Sequence, residues 1–143
     1  MEPTDTTDRK EMEELFRLQD AALQAAANAI VITSVDGTIR WVNRAFSALT
    51  GYCVDEAIGK TPGELIRSGE QGREFYCNLW NTILAGDVWH GELVNRRKNG
   101  SLYCEEQSIS PVRDARGTIT HFIAIKQDIT ERRHMASRLA YQA

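Results

Sequence analysis

The chain has 143 residues and a mass of 16.1 kDa, which suits one ordinary domain with a single core. Seventeen basic and twenty acidic residues leave a formal charge of −3, so nothing electrostatic points to nucleic acid or an anionic membrane. The length is too small for a histidine-kinase core or nucleotide-cyclase domain beside that one domain. No apolar run reaches the roughly 18 residues of a membrane span, and no signal-peptide core opens the chain. Cys53, Cys77 and Cys104 are odd in number and lack CxxC spacing, so reduced structural thiols in a cytoplasmic chain are expected. The sequence has no phosphate-binding loop, no nucleophile elbow and no HExxH metal pair. No catalytic residue and no metal site is assigned, and a sensing or interaction module is expected rather than an enzyme.

Residues 1–10 are polar and read as a disordered tail. Residues 11–27 read as a flanking helix, with Leu15, Leu18, Ala22 and Ala26 on one stripe. That stripe needs a partner, either the domain behind it or the same helix in a second subunit. The runs IVITSV and TIRWVN flank Asp36-Gly37, a strong hairpin signal. Asn43 then caps a short helix, RAFSALT, that ends at Gly51. A second helical piece, VDEAI, stops at Gly59. Pro62, Gly63 and Gly69 make residues 60–72 a loop with room for one helical turn. Phe75, Leu79 and Ile83 restore helical periodicity up to Gly86.

Three strands joined by tight turns follow, HGELVNRR, SLYCEEQSISPV and TITHFIAIKQDI. Short turns make strand neighbours antiparallel. The expected fold class is α+β, a five-stranded antiparallel sheet with helices on one face. The strands are expected near 30–35, 38–42, 90–98, 101–111 and 118–128, with a helix near 72–85. Consecutive Glu105 and Glu106 on a strand point to opposite faces and cannot act as an acid–base pair. Residues 129–143 read as the start of a longer linker helix, with Ile129, Met135 and Leu139 apolar.

The segments WVNRAFSALTGY, GELVNRRKNGSLYCEE, SPVRDARG and DITERR, in this order, resemble the PAS (sensory box) family. The resemblance implies a PAS core over 28–128. It also implies a regulatory role within a larger signalling protein, such as a histidine kinase or a cyclic-di-nucleotide enzyme. Family members dimerise through flanking helices, relay to a C-terminal output domain and bind small molecules between sheet and helices. The stretch WHGELVNRRK resembles the flavin-binding PAS domain of the redox sensor NifL, which implies FAD as cofactor. On that resemblance Trp89 and Asn95 lie at the flavin, and Lys126 and Glu105 complete the expected cofactor-binding set. An Asn amide offers one acceptor and two donors to a flavin pyrimidine edge. Two placements remain open for Lys126: facing the pocket, where it favours an anionic reduced flavin or a carboxylate ligand, or snorkelling to water.

The light-sensing LOV branch is expected to be excluded, because Pro62 occupies the position of its adduct cysteine and has no thiol. Residues 73–85 hold no histidine, which removes the simplest axial ligand for haem. Asp128 and Thr130 are the expected signal-relay joint, where both can cap the exit helix. The competing reading is a cofactor-free dimerisation or protein-interaction module.

Overall fold

The computed structural model describes the backbone of residues 3–142 and the side chains of residues 8–139. Helix α1 spans Pro3–Ala25. It begins within residues 1–10, the segment read from the sequence as a tail. A proline suits the first turn of a helix, and no glycine follows to interrupt it. Strands β1 (Ala29–Ser34) and β2 (Ile39–Val42) form a hairpin around Asp36-Gly37. The Asp36 carboxylate accepts from Ser34 Oγ and Thr38 N and so closes the turn from within. Gly37 has φ 91°, which favours glycine, and a Cβ there would crowd the Trp80 ring at 3.1 Å.

Three short helices follow: α2 (Arg44–Thr50), α3 (Val54–Ala57) and α4 (Pro62–Ile66). Helix α4 is the single turn for which residues 60–72 leave room; Thr61 caps it and Pro62 stands in its first turn. Helix α5 (Arg73–Leu84) buries Leu79 and Ile83. Strands β3 (Trp89–Arg96), β4 (Leu102–Arg113) and β5 (Ile119–Asp128) then lead to helix α6 (Thr130–Gln142). All strand pairs are antiparallel, in the order β2-β1-β5-β4-β3. The first hairpin therefore docks against the last strand, which places β5 at the centre.

One face of the sheet packs under the helices. Val31, Ile39, Val42, Phe46, Ala57 and Phe122 are almost wholly buried there, and Leu79 and Ile83 close over them from α5. Each such large apolar side chain contributes roughly 1.5–3 kcal/mol of transfer free energy.

Asn43 fastens three elements at once. Besides capping α2 through Phe46 N, its Oδ1 accepts from Ile30 N at 2.9 Å. Its Nδ2 donates to Leu23 O and Asn28 O, so the buried amide ties the end of α1 and the start of β1 to α2. Helix α1 otherwise leaves Met12, Leu15, Phe16 and Leu18 exposed. Helix α6 is held to the outer face of the sheet by Arg132 on Glu106 and Arg133 on Glu92.

Candidate functional site

A cavity of about 260 Å³ lies between the inner face of the sheet and helices α4 and α5. It falls just below the usual range of small-molecule sites, roughly 300–1,000 Å³. Its walls are apolar: Val31, Leu93, Ile109 and Phe122 from the sheet, with Leu79 and Ile83 from α5. Trp80 and Tyr76 add aromatic surface, while Pro62 and Arg67 stand on the α4 side. The Arg67 guanidinium sits 3.7 Å from the centre of the Tyr76 ring. Burial raises the Tyr76 phenol above its ordinary value, although Arg67 opposes that shift.

At the end of the cavity formed by β3, β4 and β5 lies a buried polar cluster. Lys126 Nζ donates to Glu105 Oε2 at 2.9 Å, and both side chains are at most 2% exposed. Glu105 Oε1 accepts from Asn95 Nδ2 at 2.8 Å and from the Tyr103 hydroxyl at 3.0 Å. Burial and the neighbouring carboxylate push the Tyr103 phenol far up, so it remains a neutral donor. Gln107, directly opposite Lys126 in the ladder, completes the cluster. Its side chain lines the cavity, and its Oε1 has no hydrogen-bond partner.

Strand alternation explains this gathering. Tyr103, Glu105, Gln107 and Ile109 share one face of β4, and Phe122, Ala124 and Lys126 share that face of β5. Glu106 is on the other face, where it meets Arg132. Of the expected cofactor residues, Asn95 and Lys126 line the cavity, and Glu105 stands behind them as their shared partner. Lys126 does not snorkel to water; its ammonium is spent on Glu105.

Trp89 differs from its expected placement. It is buried but not on the cavity wall: its ring packs edge-on against Phe75 at 5.5 Å and lies over Gly91. The tryptophan at the cavity is Trp80 from α5. Gln107 and Tyr76 escaped the sequence reading. The inward parity shared by Glu105 and Gln107 was the available signal for Gln107.

Asp128 and Thr130, the residues expected at the relay joint, meet where β5 passes into α6. Asp128 Oδ1 accepts from Thr130 N at 2.9 Å, and Thr130 Oγ1 accepts from Cys104 N at 2.9 Å. Asp128 also pairs with Arg97 at 3.0 Å. The Arg97 guanidinium reaches over the Tyr103 ring, 4.7 Å from its centre, and donates to Leu49 O. One side chain thus touches the buried cluster, α2 and the end of β5. Among the described residues no group of three or more His, Cys, Asp or Glu side chains could hold a metal ion.

An antiparallel five-stranded sheet with a helix-covered cavity and a capped exit helix is the plan of a sensory domain. Residues 27–131 match the PAS domain family, and the chain belongs to that family. It is 32% identical over 117 residues to the nitrogen fixation regulatory protein of Klebsiella oxytoca, covering 82% of this chain and 23% of that protein. Among solved structures it is similar to an RNA-binding Light-Oxygen-Voltage receptor, with a TM-score of 0.80 and 27% identity. That match covers 90% of this chain and 37% of the receptor chain. A Light-Oxygen-Voltage domain studied with a flavin analogue has a TM-score of 0.71 at 22% identity, covering 85% and 92% of the two chains.

The chain spans about a quarter or less of the first curated relatives it matches. No catalytic motif accompanies the PAS fold among the described residues. No described helix is long and apolar enough to cross a membrane.

These likenesses overturn the expected exclusion of the LOV branch and the narrower assignment beside NifL. The fold is shared with light-sensing domains as well as with a nitrogen-fixation regulator. The physical reason is local. Pro62 is a favourable first-turn residue for α4, so its presence leaves the backbone plan common to both branches intact.

Proposed function

We propose that this PAS domain is a sensory module that holds a flavin, FAD, in the cavity and relays its redox state to an output domain. The observation that carries the reading is the buried polar cluster of Asn95, Glu105, Lys126 and Gln107 at one end of an otherwise apolar and aromatic cavity. A flavin ring system needs that combination: apolar faces for the rings and a few convergent donors and acceptors for one edge. The unpartnered Gln107 Oε1 supports the fit from the protein side.

In this reading Asn95, Gln107 and Lys126 meet the polar edge, Trp80 and Tyr76 flank the rings, and Trp89 braces α5 through Phe75. Arg67 carries a positive charge to the α4 side, where it suits phosphate oxygens. The bound flavin supplies electron acceptance and release. The chain's part is to exclude water, orient the ring and hold the Glu105–Lys126 charges beside it. Because that pair is neutral overall, its field favours an anionic reduced flavin less than a lone lysine would.

A change in the cluster is passed through Tyr103 to Arg97, and from there to Asp128, Thr130 and the start of α6. The output domain is a histidine kinase or a cyclic-di-nucleotide enzyme in the cytoplasm. The domain works as a homodimer through its flanking helices.

An absorption spectrum of the purified protein, followed by refolding with excess FAD and flavin fluorescence anisotropy, tests the cofactor. Saturable binding is expected, and its absence ends the flavin reading. The exposed apolar side chains of α1 favour a second reading, a cofactor-free dimerisation module. That reading predicts dimers and no saturable flavin binding.

A further inference from the structure

We infer that Gln107 is the ligand-recognition residue of the cavity, and that its ligand is a neutral heterocycle presenting an N–H beside a carbonyl, the lactam and imide class. The inference deepens the flavin reading and rests on it for the choice of probe. It starts from an imbalance in the polar cluster. Asn95 Nδ2, the Tyr103 hydroxyl and Lys126 Nζ all donate to Glu105, which uses both of its oxygens. Gln107 is 6% exposed and its Oε1 has no partner. Lys126 lies directly opposite in the ladder, yet its ammonium turns to Glu105.

Packing does not account for an amide here. The cavity lining includes Val31, Leu93, Ile109 and Phe122, and Asn95 and Lys126 already donate to Glu105, so an apolar side chain at position 107 would strand no polar partner. A buried amide oxygen without a donor costs folding free energy, and a ligand N–H that reaches it recovers that cost. The chemistry of the amide then selects the ligand class. A glutamine side chain offers an acceptor and a two-proton donor in one plane, complementary to an adjacent N–H and C=O. A carboxylate ligand has no donor for the Gln107 oxygen, and it would stand close to Glu105. A cationic ligand would meet Lys126. A neutral lactam or imide edge satisfies the amide without disturbing the ion pair, and the pyrimidine edge of a flavin belongs to this class.

The test uses lumiflavin and 3-methyllumiflavin, which lacks the imide N–H, with the full chain and its Gln107→Leu variant. Fluorescence anisotropy is expected to show the wild type binding lumiflavin about tenfold or more tightly over the methylated analogue. In Gln107→Leu the preference should fall to within about twofold. A preference that survives intact in Gln107→Leu overturns the assignment while leaving flavin binding in place.

If neither compound binds the wild type, the flavin reading falls, and the ligand-free protein decides the role of Gln107. Removal of a buried amide oxygen that has no partner should raise Tm by about 3 °C. An unchanged or lower Tm in Gln107→Leu shows that the amide is structural and overturns the inference.

Discussion

Lys126 and Glu105 form an ion pair 2.9 Å long, out of contact with water at the centre of the sheet. The pair joins β5 to β4 and carries two further donors, Asn95 and Tyr103, on one carboxylate oxygen. Removing one partner of such a pair strands the other in a medium that solvates charge poorly. Lys126→Met should therefore cost about 3–5 kcal/mol, whereas Lys126→Met combined with Glu105→Leu should recover most of that loss. Urea unfolding of the two variants checks this, and a single substitution costing under about 1 kcal/mol would refute it. In protein that takes up FAD, Lys126→Met should also lower the flavin midpoint potential, because it leaves the Glu105 carboxylate unopposed.

Asn95 has two roles that separate on substitution. Asn95→Ala removes one hydrogen bond from Glu105, at a cost of about 1–3 kcal/mol for a charged acceptor left short of a donor. It also removes an amide from the cavity wall, so flavin affinity should fall about tenfold or more while the sheet persists. Titration of the refolded variant with FAD measures the second effect. Unaltered affinity would take Asn95 out of the proposed site.

Asn43 is a structural prediction independent of any ligand. Its side chain makes four hydrogen bonds to backbone groups of α1, β1, α2 and the segment between α1 and β1. Asn43→Ala loses a helix cap and leaves buried backbone groups short of partners, for a cost of about 3 kcal/mol. Asn43→Asp retains the two bonds accepted by Oδ1 and should lie between alanine and wild type in thermal unfolding. An aspartate no better than alanine would mean that the bonds to α1 dominate.

The Glu56 carboxylate gives a pH signature. Its bond from the Lys98 ammonium, then that from Cys53 N, lowers its pKa from 4.5 to about 2. A depressed carboxylate pKa stabilises the fold above the unfolded value and ceases to do so as pH falls through the folded one. The stability difference between wild type and Glu56→Gln should therefore be constant above pH 4.5 and decline towards zero near pH 2. Chemical denaturation across that range would show it. A difference that does not vary with pH would place the stabilisation elsewhere.

The exposed stripe of α1 makes a prediction about assembly. Leu15 and Leu18 are each about half exposed and lie three residues apart on one side of the helix. Sedimentation velocity should show a dimer for the full chain and a monomer for Leu15→Glu combined with Leu18→Glu. Equal masses for the two proteins would exclude α1 as the contact.

Local chemistry made much of this fold legible in the sequence. Asp36-Gly37 marks its hairpin because the carboxylate bonds and the positive φ arise within a few residues. Asn43 is recognisable as a cap for the same reason. The period of two along β4 separates inward Glu105 from outward Glu106 without knowledge of any neighbour.

What the tertiary structure alone decided was which strands lie side by side. The hairpin of β1 and β2 packs against β5, close to 90 residues later in the chain, and that makes Lys126 central rather than peripheral. Parity could place Lys126 on a face, but not name Glu105, 21 residues away, as its partner. Packing likewise chose between two tryptophans, seating Trp89 against Phe75 and leaving Trp80 at the cavity. Side-chain period specifies a direction relative to one strand. Burial, ion pairing and cavity shape depend on what the other strands and helices bring to the same place.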